Sequence, residues 1–181
     1  MRTITSMKPE YLLPSLELVE QVFTEHENAQ EGALVRRLVE EIRSKKYYLP
    51  ELELLMLEDG VPVGYVMFSR FHIEGRYEDR LVLLSPACVR TDLQRQGISR
   101  ELIEYGKRRA AEMGFTAAMV EGNPANYRSR GFNTSARHGI IAGPNIHLPH
   151  EDCLMVAELV PGGLTGIHGM VDYGFYDVLS E

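Results

Sequence analysis

Residues 81–113 read LVLLSPACV RTDLQRQGIS RELIEYGKRRAAEM, and the fold follows from this stretch. Leu81–Val89 is an apolar run, a polar loop with a single glycine follows it, and the segment from about Gly97 to Met113 is amphipathic. The pattern predicts a buried strand, a sharp loop and a helix. Because the first N–H groups of a helix have no intrahelical partner, the loop and the helix start also predict a place for an anion.

The predicted helix has clear boundary and packing signals. Gly106 lies on its inner side and would allow a close approach to a sheet. Gly114 follows the last periodic residue and is a plausible C-terminal cap. The apolar stripe that would face the sheet consists of Ile98, Leu102, Tyr105 and Met113.

Neighbouring segments predict the rest of a sheet. Leu52–Leu57 and Val61–Ile73 are apolar runs joined by Glu58-Asp59-Gly60, and an Asp-Gly pair between such runs predicts a hairpin. The second run is apolar on both sides, which is typical of a central strand. Phe115–Val120 and Cys153–Val160 predict two further strands.

The N-terminal part predicts an edge strand at Arg2–Met7 and two helices. Proline is tolerated in the first turn, so the first helix is expected to begin at Pro14. The second helix is expected at Glu31–Ser44, and Pro124–Arg130 predicts a short one. The order of elements indicates an α/β chain around a central sheet.

The chain has 181 residues, 44% of them apolar, which suits one domain with a sizeable core. We expect a single domain over residues 1–181, with a core of 1–160 and a C-terminal extension of 161–181. A net charge of −7 argues against a nucleic-acid partner, since phosphate backbones attract clustered Lys and Arg. No apolar run is long enough for a membrane span, and the N-terminus, MRTITSMKPE, has no apolar core of signal-peptide length. Cys88 and Cys153 predict free thiols in a reducing compartment, so we expect a cytoplasmic protein without a membrane partner.

The loop before the predicted helix carries the candidate anion contacts. An anion needs several N–H groups aimed at one point and a residue without Cβ where the backbone approaches it. Gly97 has no Cβ and would let the backbone approach the anion. Ser99 adds a hydroxyl, and Arg95 adds a positive charge. The loop is neither a Walker loop nor a dinucleotide fingerprint. Taken alone, it also fits an ordinary strand-to-helix turn.

A second candidate stretch, Glu121–Phe132, directly follows a predicted strand. It should therefore lie at the carboxyl end of the sheet, where α/β proteins bind ligands. Tyr127 in this stretch carries a phenol that could protonate a departing thiolate as a general acid. The alternative is a tyrosine that only packs a short helix against the sheet.

Together the two stretches resemble the GNAT N-acetyltransferase superfamily. Residues 83–99 are similar to the family's strand, turn and acetyl-CoA signature, Arg/Gln-x-x-Gly-x-Gly/Ala. Gln94 and Gly97 match that signature, and Ser99 stands where Gly or Ala is usual. The family's Tyr-x-x-x-Gly-Phe element is matched by Tyr127, Gly131 and Phe132. Asn123-Pro124-Ala125 and the motif PGGLTG at 161–166 resemble a small bacterial subgroup of predicted N-acetyltransferases.

The resemblance implies an α/β fold with a mixed, mostly antiparallel central sheet, flanked by helices and splayed between its fourth and fifth strands. The pantetheine arm of acetyl-CoA (coenzyme A) would lie in the split, against backbone groups near Cys88 and Val89. The pyrophosphate would sit on the N–H groups of residues 95–99. The expected cofactor-binding residues are Cys88, Val89, Gln94, Arg95, Gln96, Gly97, Ile98, Ser99, Asn123 and Asn126.

The resemblance also implies a reaction. We expect an acetyl-CoA-dependent N-acetyltransferase that moves an acetyl group to a primary amine by direct transfer in a ternary complex. Tyr127 would protonate the coenzyme A thiolate, and a backbone N–H of the fourth strand would steady the tetrahedral oxyanion. The amine would belong to a small molecule or a peptide, and neither a metal nor a nucleic acid is expected. A homodimer is left open.

Two questions stay open from the sequence. The general base is unassigned, because the fourth strand carries no acidic residue; Glu121, Glu25 and Glu27 are candidates, and the amine could also arrive deprotonated. The alternative function is a non-catalytic acyl-CoA-binding or regulatory module on the same fold, since fold does not fix function.

Overall fold

A mixed sheet lies at the centre of the structure, a computed structural model that describes residues 1–180. The strands are β1 (Arg2–Ser6), β2 (Glu53–Glu58), β3 (Val61–Arg70), β4 (Leu81–Val89), β5 (Ala117–Glu121), β6 (Asn133–Thr134), β7 (Ile140–Ala142), β8 (Leu154–Glu158) and β9 (Gly169–Val171). The helices are α1 (Leu12–His26), α2 (Ala29–Ser44), α3 (Ile98–Glu112) and α4 (Pro124–Tyr127). Seven strands form the main sheet in the order β1-β2-β3-β4-β5-β8-β6, and all neighbours are antiparallel except β4 and β5.

The predicted hairpin and central strand are confirmed. Asp59 and Gly60 join β2 to β3, and both have positive φ, 50° and 83°, as a two-residue hairpin turn requires. Residues 63–69 of β3 are buried, and the strand lies between β2 and β4. The predicted strand Leu81–Val89 is observed with those bounds as β4.

The fourth and fifth strands splay apart, as the resemblance implied. Their parallel ladder begins at Leu81 opposite Ala117 and ends at Leu84 opposite Val120. β4 then continues to Val89, paired only with β3 on its other side. The second half of β4 therefore borders a gap where a sheet neighbour would otherwise lie.

Helices cover the two faces of the sheet unequally. α3 packs on one face, where Gly106 meets Phe68 of β3 so closely that an added Cβ would lie 2.2 Å from the ring. α1 and α2 cover β2 and β3 on the opposite face. The β4, β5 and β8 part of that face is covered by residues that include Ile140, Leu164 and Val171.

The segment 161–180 crosses the face opposite α3 and is bonded at both ends; Glu181, the last residue of the expected extension, lies outside the described residues. At the start of the segment, Arg80 Nη2 donates to the carbonyl of Gly163 at 3.0 Å. Near its end, the Glu41 carboxylate of α2 accepts the backbone N–H groups of Asp177 and Val178, each at 2.9 Å. We call residues 169–178 the strap.

Some boundaries differ from the expectation. α1 begins at Leu12, directly after a 3-10 turn at Pro9–Tyr11, and Pro14 lies within its first turn, where a missing N–H costs nothing. α2 begins at Ala29 because the Asn28 side chain accepts the Glu31 N–H. Among residues 1–180, no helix is long and apolar enough to cross a bilayer.

Candidate active site

A cavity of about 500 Å³ opens where β4 and β5 part. Its lining includes Ala87 and Ile98, which pack on the α3 side of the sheet, and Val22 and Cys88, which pack on the α1 side. The cavity therefore passes through the sheet, and we call it the gap cavity. The full lining is Val22, Phe23, His26, Ala87, Cys88, Val89, Leu93, Gln94, Arg95, Gly97, Ile98, Ser99, Arg100, Asn126, Tyr127 and Arg130.

The backbone of β4 turns alternate residues toward the gap. Arg90 N–H donates to the Val63 carbonyl at 2.8 Å. In an antiparallel ladder, hydrogen-bonded pairs alternate with pairs whose N–H and C=O groups point away from the partner strand. Cys88 is therefore bonded to β3, while the backbone groups of Ala87 and Val89 point into the gap. In agreement, the Val89 carbonyl accepts a hydrogen bond from the Gln94 side chain at 3.2 Å.

The loop between β4 and α3 presents free backbone donors. Arg95 and Gly97 both have positive φ, 63° and 83°, which folds the loop sharply before the helix. Among residues 1–180, the N–H groups of residues 95–99 have no acceptor. An added Cβ at Gly97 would meet no atom within 4 Å, so the space beside it is open. The loop can thus aim several N–H groups at one anion.

Positive charge gathers on the same side of the cavity. Arg95, Arg100 and Arg130 all line it, in a chain whose net charge is −7. The Nε of Arg130 is buried and has no acceptor among residues 1–180. A buried guanidinium donor without a partner is costly, so an anionic group in the cavity would satisfy it.

Tyr127 lies on the same side, at the end of α4. Its ring meets Phe132 edge-on, with centroids 5.7 Å apart, and an added Cβ on Gly122 would lie 2.4 Å from ring atom Cε2. No group among residues 1–180 bonds the Tyr127 hydroxyl, and burial raises the pKa of this phenol above its ordinary value. The phenol is therefore protonated at neutral pH and free to donate.

Cys88 places its thiol on the α1 side of the gap cavity. The thiol is partly buried, and this burial raises its pKa to about 12. Since the thiolate is the nucleophilic form, the Cys88 thiol is poorly suited to attack at neutral pH.

The end of α1 forms a wall that the sequence did not reveal. Val22, Phe23 and His26 line the cavity, and His26 Nε2 lies 3.1 Å from Gln94 Nε2 of the loop. In the sequence, Val22 and Phe23 resemble ordinary core residues of an amphipathic helix. They differ from core residues only because α1 contacts the loop between β4 and α3, and that loop is remote from α1 in sequence.

Two expected cofactor contacts lie apart from the gap cavity. Gln96 is exposed, and its Oε1 accepts a hydrogen bond from Arg2 of β1. Asn123 caps α4 by accepting the Ala125 N–H at 2.9 Å. Asn123 instead lines a second cavity of about 380 Å³ together with Glu121, Gly122, Pro124, Pro149 and Cys153. We call this the side cavity.

The three carboxylates considered as bases have different surroundings. Glu25 accepts hydrogen bonds from Thr91 and Gln21, and the Thr91 hydroxyl is the main cause that lowers the pKa of this carboxyl. Glu27 is exposed just beyond α1. Glu121 accepts a hydrogen bond from the Tyr173 hydroxyl at 3.0 Å. Within residues 1–180, no group of three or more His, Cys, Asp or Glu side chains is placed to hold a metal ion.

Comparison with known proteins bears directly on this arrangement. Residues 17–135 match the model of the acetyltransferase (GNAT) family. N-acetyltransferase YhbS of Escherichia coli K12 is 31% identical over 118 residues, covering 64% of this chain and 67% of YhbS. N-acetyltransferase YjhQ of the same strain is 30% identical over 142 residues, covering 76% of each chain.

Solved structures agree with the sequence comparison. The crystal structure of E. coli YhbS in complex with CoA has a TM-score of 0.82 at 25% identity, covering 95% of this chain and 89% of YhbS. A GNAT family acetyltransferase from Brucella melitensis in complex with acetyl-CoA has a TM-score of 0.63 at 27% identity, covering 73% of this chain and 82% of that one. The splayed sheet, the loop before α3 and these matches lead to one assignment: this chain belongs to the GNAT family of acetyltransferases.

Proposed function

We propose that the protein transfers the acetyl group of acetyl-CoA to a primary amine, directly, within a ternary complex. The observation that carries this proposal is the gap cavity, which joins an anion-binding loop on one face of the sheet to the α1 wall on the other. A long thioester cofactor can enter such a cavity from one side and meet a second substrate from the other. The CoA and acetyl-CoA complexes of the two similar structures support this choice of donor.

The residues present fit coenzyme A. The free N–H groups of residues 95–99 and the buried Arg130 Nε supply donors for a pyrophosphate. The backbone groups of Ala87 and Val89 would pair with the amide groups of a pantetheine arm in the gap, as a strand neighbour would. Ile98 and Asn126 line the same space.

Bound acetyl-CoA supplies a thioester carbonyl for attack by a neutral amine. As the C–N bond forms and the C–S bond breaks, an N–H of Ala87 or Val89 steadies the negative charge on the carbonyl oxygen. Tyr127 gives its proton to the departing sulfur and regains one through solvent from the amine nitrogen. Direct transfer is favoured over an acyl-enzyme because burial raises the pKa of the Cys88 thiol near the gap to about 12, which keeps this thiol in its less nucleophilic, protonated form.

The test is thiol release from acetyl-CoA across a panel of primary amines, with the acetylated product identified by mass spectrometry. We expect amine-dependent release of one thiol per acetyl group transferred. Tight binding of acetyl-CoA with no turnover on any amine would favour a binding or regulatory module instead.

The acid role of Tyr127 has its own test. Tyr127→Phe removes the proton donor but keeps the ring that packs on Gly122, so kcat should fall by about 10²- to 10³-fold with little change in acetyl-CoA affinity. Tyr105→Phe, on α3 outside the cavity lining, is the matched control and should leave kcat unchanged. An unchanged rate for Tyr127→Phe would remove the acid role.

A further inference from the structure

Arg130 packs against the ring of Tyr127 on the α3 side of the gap cavity. α4 ends at Tyr127, and a 3-10 turn over Arg128–Arg130 follows without a break, so side chains three positions apart share one face. Both side chains line the gap cavity. The guanidinium carbon of Arg130 lies 6.0 Å from the centroid of the Tyr127 ring, which is the range of a cation–π contact. A positive charge therefore lies beside the phenol that would donate the proton.

The Arg130 charge is fixed in place but not neutralised. Its Nη1 donates to the Asn126 carbonyl one turn earlier, which holds the guanidinium. Its Nε is buried, and within residues 1–180 this atom has no acceptor and no Asp or Glu pairs with the side chain. The neighbouring Arg128 differs, because it pairs with Asp152 at 3.4 Å. A cation that no carboxylate offsets acts more strongly on the group beside it.

The other cations around this part of the cavity belong to α3 and the loop before it. Lys107 and Arg100 donate to backbone carbonyls of the 3-10 turn at 2.8 and 3.2 Å, and Lys107 also pairs with Glu104 at 3.8 Å. Arg95 lines the cavity from the loop. Within residues 1–180, only Arg130 holds its cation over the phenol ring. The remaining charges are the same in all the variants compared below, so their effect cancels.

Proton donation leaves Tyr127 negatively charged for part of the reaction. The proposed transfer breaks the phenol O–H bond as the S–H bond forms, and a phenolate remains until a proton returns to it. Burial disfavours this charged form and raises the pKa of Tyr127, while the Arg130 charge opposes that rise. A pyrophosphate bound in the same cavity would add negative charge and disfavour the phenolate further. A cation beside the ring lowers the free-energy cost of giving up the proton.

Resting on the proposed function, we propose that Arg130 is a positioning residue that holds its positive charge beside Tyr127 and stabilises the phenolate formed during transfer. The C–N bond forms as the C–S bond breaks, sulfur gains the Tyr127 proton, and the amine nitrogen loses the proton that restores the phenol through solvent. Arg130 itself gains and loses no proton. Its Nε can still meet the pyrophosphate, so one side chain has two separable effects: one on acetyl-CoA affinity and one on kcat.

The first measurement titrates the phenol itself and needs no amine. A difluorinated tyrosine at position 127 ionises at a lower pH than tyrosine, so fluorine NMR can follow its titration while the protein stays folded. Arg130→Gln should lower the acid dissociation constant of this phenol by about tenfold, because an opposite charge is lost. Arg130→Lys keeps the charge and should change the constant by less than about threefold. Arg128→Gln is the matched control and should leave it unchanged, since Asp152 already offsets that charge.

The second measurement is kcat at saturating acetyl-CoA, where a change in cofactor affinity no longer matters. Arg130→Gln should lower kcat by about 3- to 10-fold, because the proton is only partly transferred in the transition state. In the Tyr127→Phe background the same substitution should leave kcat unchanged, since no phenolate forms. The Kd for acetyl-CoA, measured by calorimetry, should rise by the same factor in both backgrounds. A merely structural role would instead lower kcat in both.

The outcomes separate this proposal from the broader one. If amines are acetylated and Arg130→Gln leaves the phenol titration or kcat unchanged, or lowers kcat equally in both backgrounds, the role of Arg130 is wrong and the transferase function stands. If no amine is acetylated, the transferase function fails. The charge pairing then stands only if Arg130→Gln lowers the dissociation constant of the phenol and Arg130→Lys does not, and it falls if both variants titrate like the wild-type protein.

Discussion

At the scale of single residues, the site depends on where the Tyr127 ring is held. The rings of Tyr127 and Phe132 pack edge to face, and the bare Cα of Gly122 leaves room for the Tyr127 ring. The phenol is thereby directed into the gap cavity without a hydrogen bond to any group in residues 1–180. Such a side chain is oriented by ring packing and by the Arg130 guanidinium, which lies 6.0 Å from the ring centroid, so a small change in packing should act on catalysis.

Gly122→Ala tests that orientation. The new methyl group would lie 2.4 Å from Cε2 of Tyr127, so the ring must shift, and a shift near 1 Å can cost up to about 100-fold in rate. We expect kcat to fall while acetyl-CoA affinity and the melting temperature change little. The double variant Gly122→Ala/Tyr127→Phe should be no slower than Tyr127→Phe, because the displaced hydroxyl is already gone. Additive losses would show that Gly122 acts by another route.

At the scale of elements, β4, its loop and α3 form a unit. β4 presents the Ala87 and Val89 backbone to the gap, and the loop reverses direction through two residues of positive φ. α3 then begins with its free N–H groups beside the cavity. Gly106 fixes the height of α3 above β3, since no larger residue fits against Phe68. The loop before α3 is thus held by a strand on one side and by a helix packed on the sheet on the other.

Gly97→Val tests the loop. The valine side chain would project into the open space beside the free N–H groups, and the positive φ would be strained. We expect the Kd for acetyl-CoA to rise by about 10- to 100-fold, measured by calorimetry. Gly60→Val is the matched control, because Gly60 has the same φ of 83° and equally open surroundings in the β2–β3 turn. An equal loss of affinity in both variants would trace the effect to backbone strain.

The elements also show what could be predicted from sequence and why. β4 and the Asp59-Gly60 hairpin were predicted because apolar runs and turn chemistry are local properties. β7 and β9 were missed, since strands of three residues carry too little periodicity and their pairing joins distant segments. The contact between His26 and Gln94 was not predicted for a similar reason: it depends on how α1 crosses the sheet.

At the scale of the whole molecule, the two faces of the sheet divide the tasks of the site. The α3 face collects arginines and backbone donors for an anion, while the opposite face carries Glu121 and is covered by the strap. The two faces meet at the gap between β4 and β5, where the gap cavity passes from one face of the sheet to the other. The strap therefore lies on the face of the sheet opposite α3 and its loop.

The last prediction concerns what holds the strap. Glu41 of α2 accepts the N–H groups of Asp177 and Val178 and pairs with Lys45 at 2.9 Å. Burial pushes the pKa of this carboxyl upward, but the Val178 N–H, Lys45 and the Asp177 N–H together outweigh it and lower the pKa. A lowered pKa in the folded state means that the stabilisation is complete above the unfolded value of about 4.3 and is lost as pH falls through the folded pKa.

We therefore expect the strap to loosen only in acid, and the amide cross-peak of Val178 in an NMR titration should move with a midpoint below about 4.3. Glu41→Gln should abolish that titration. Glu40→Gln, one residue away and paired with Arg36 instead, should leave it in place. A Val178 midpoint at or above about 4.3, or an unchanged titration in Glu41→Gln, would mean that the Glu41 carboxylate does not hold the strap.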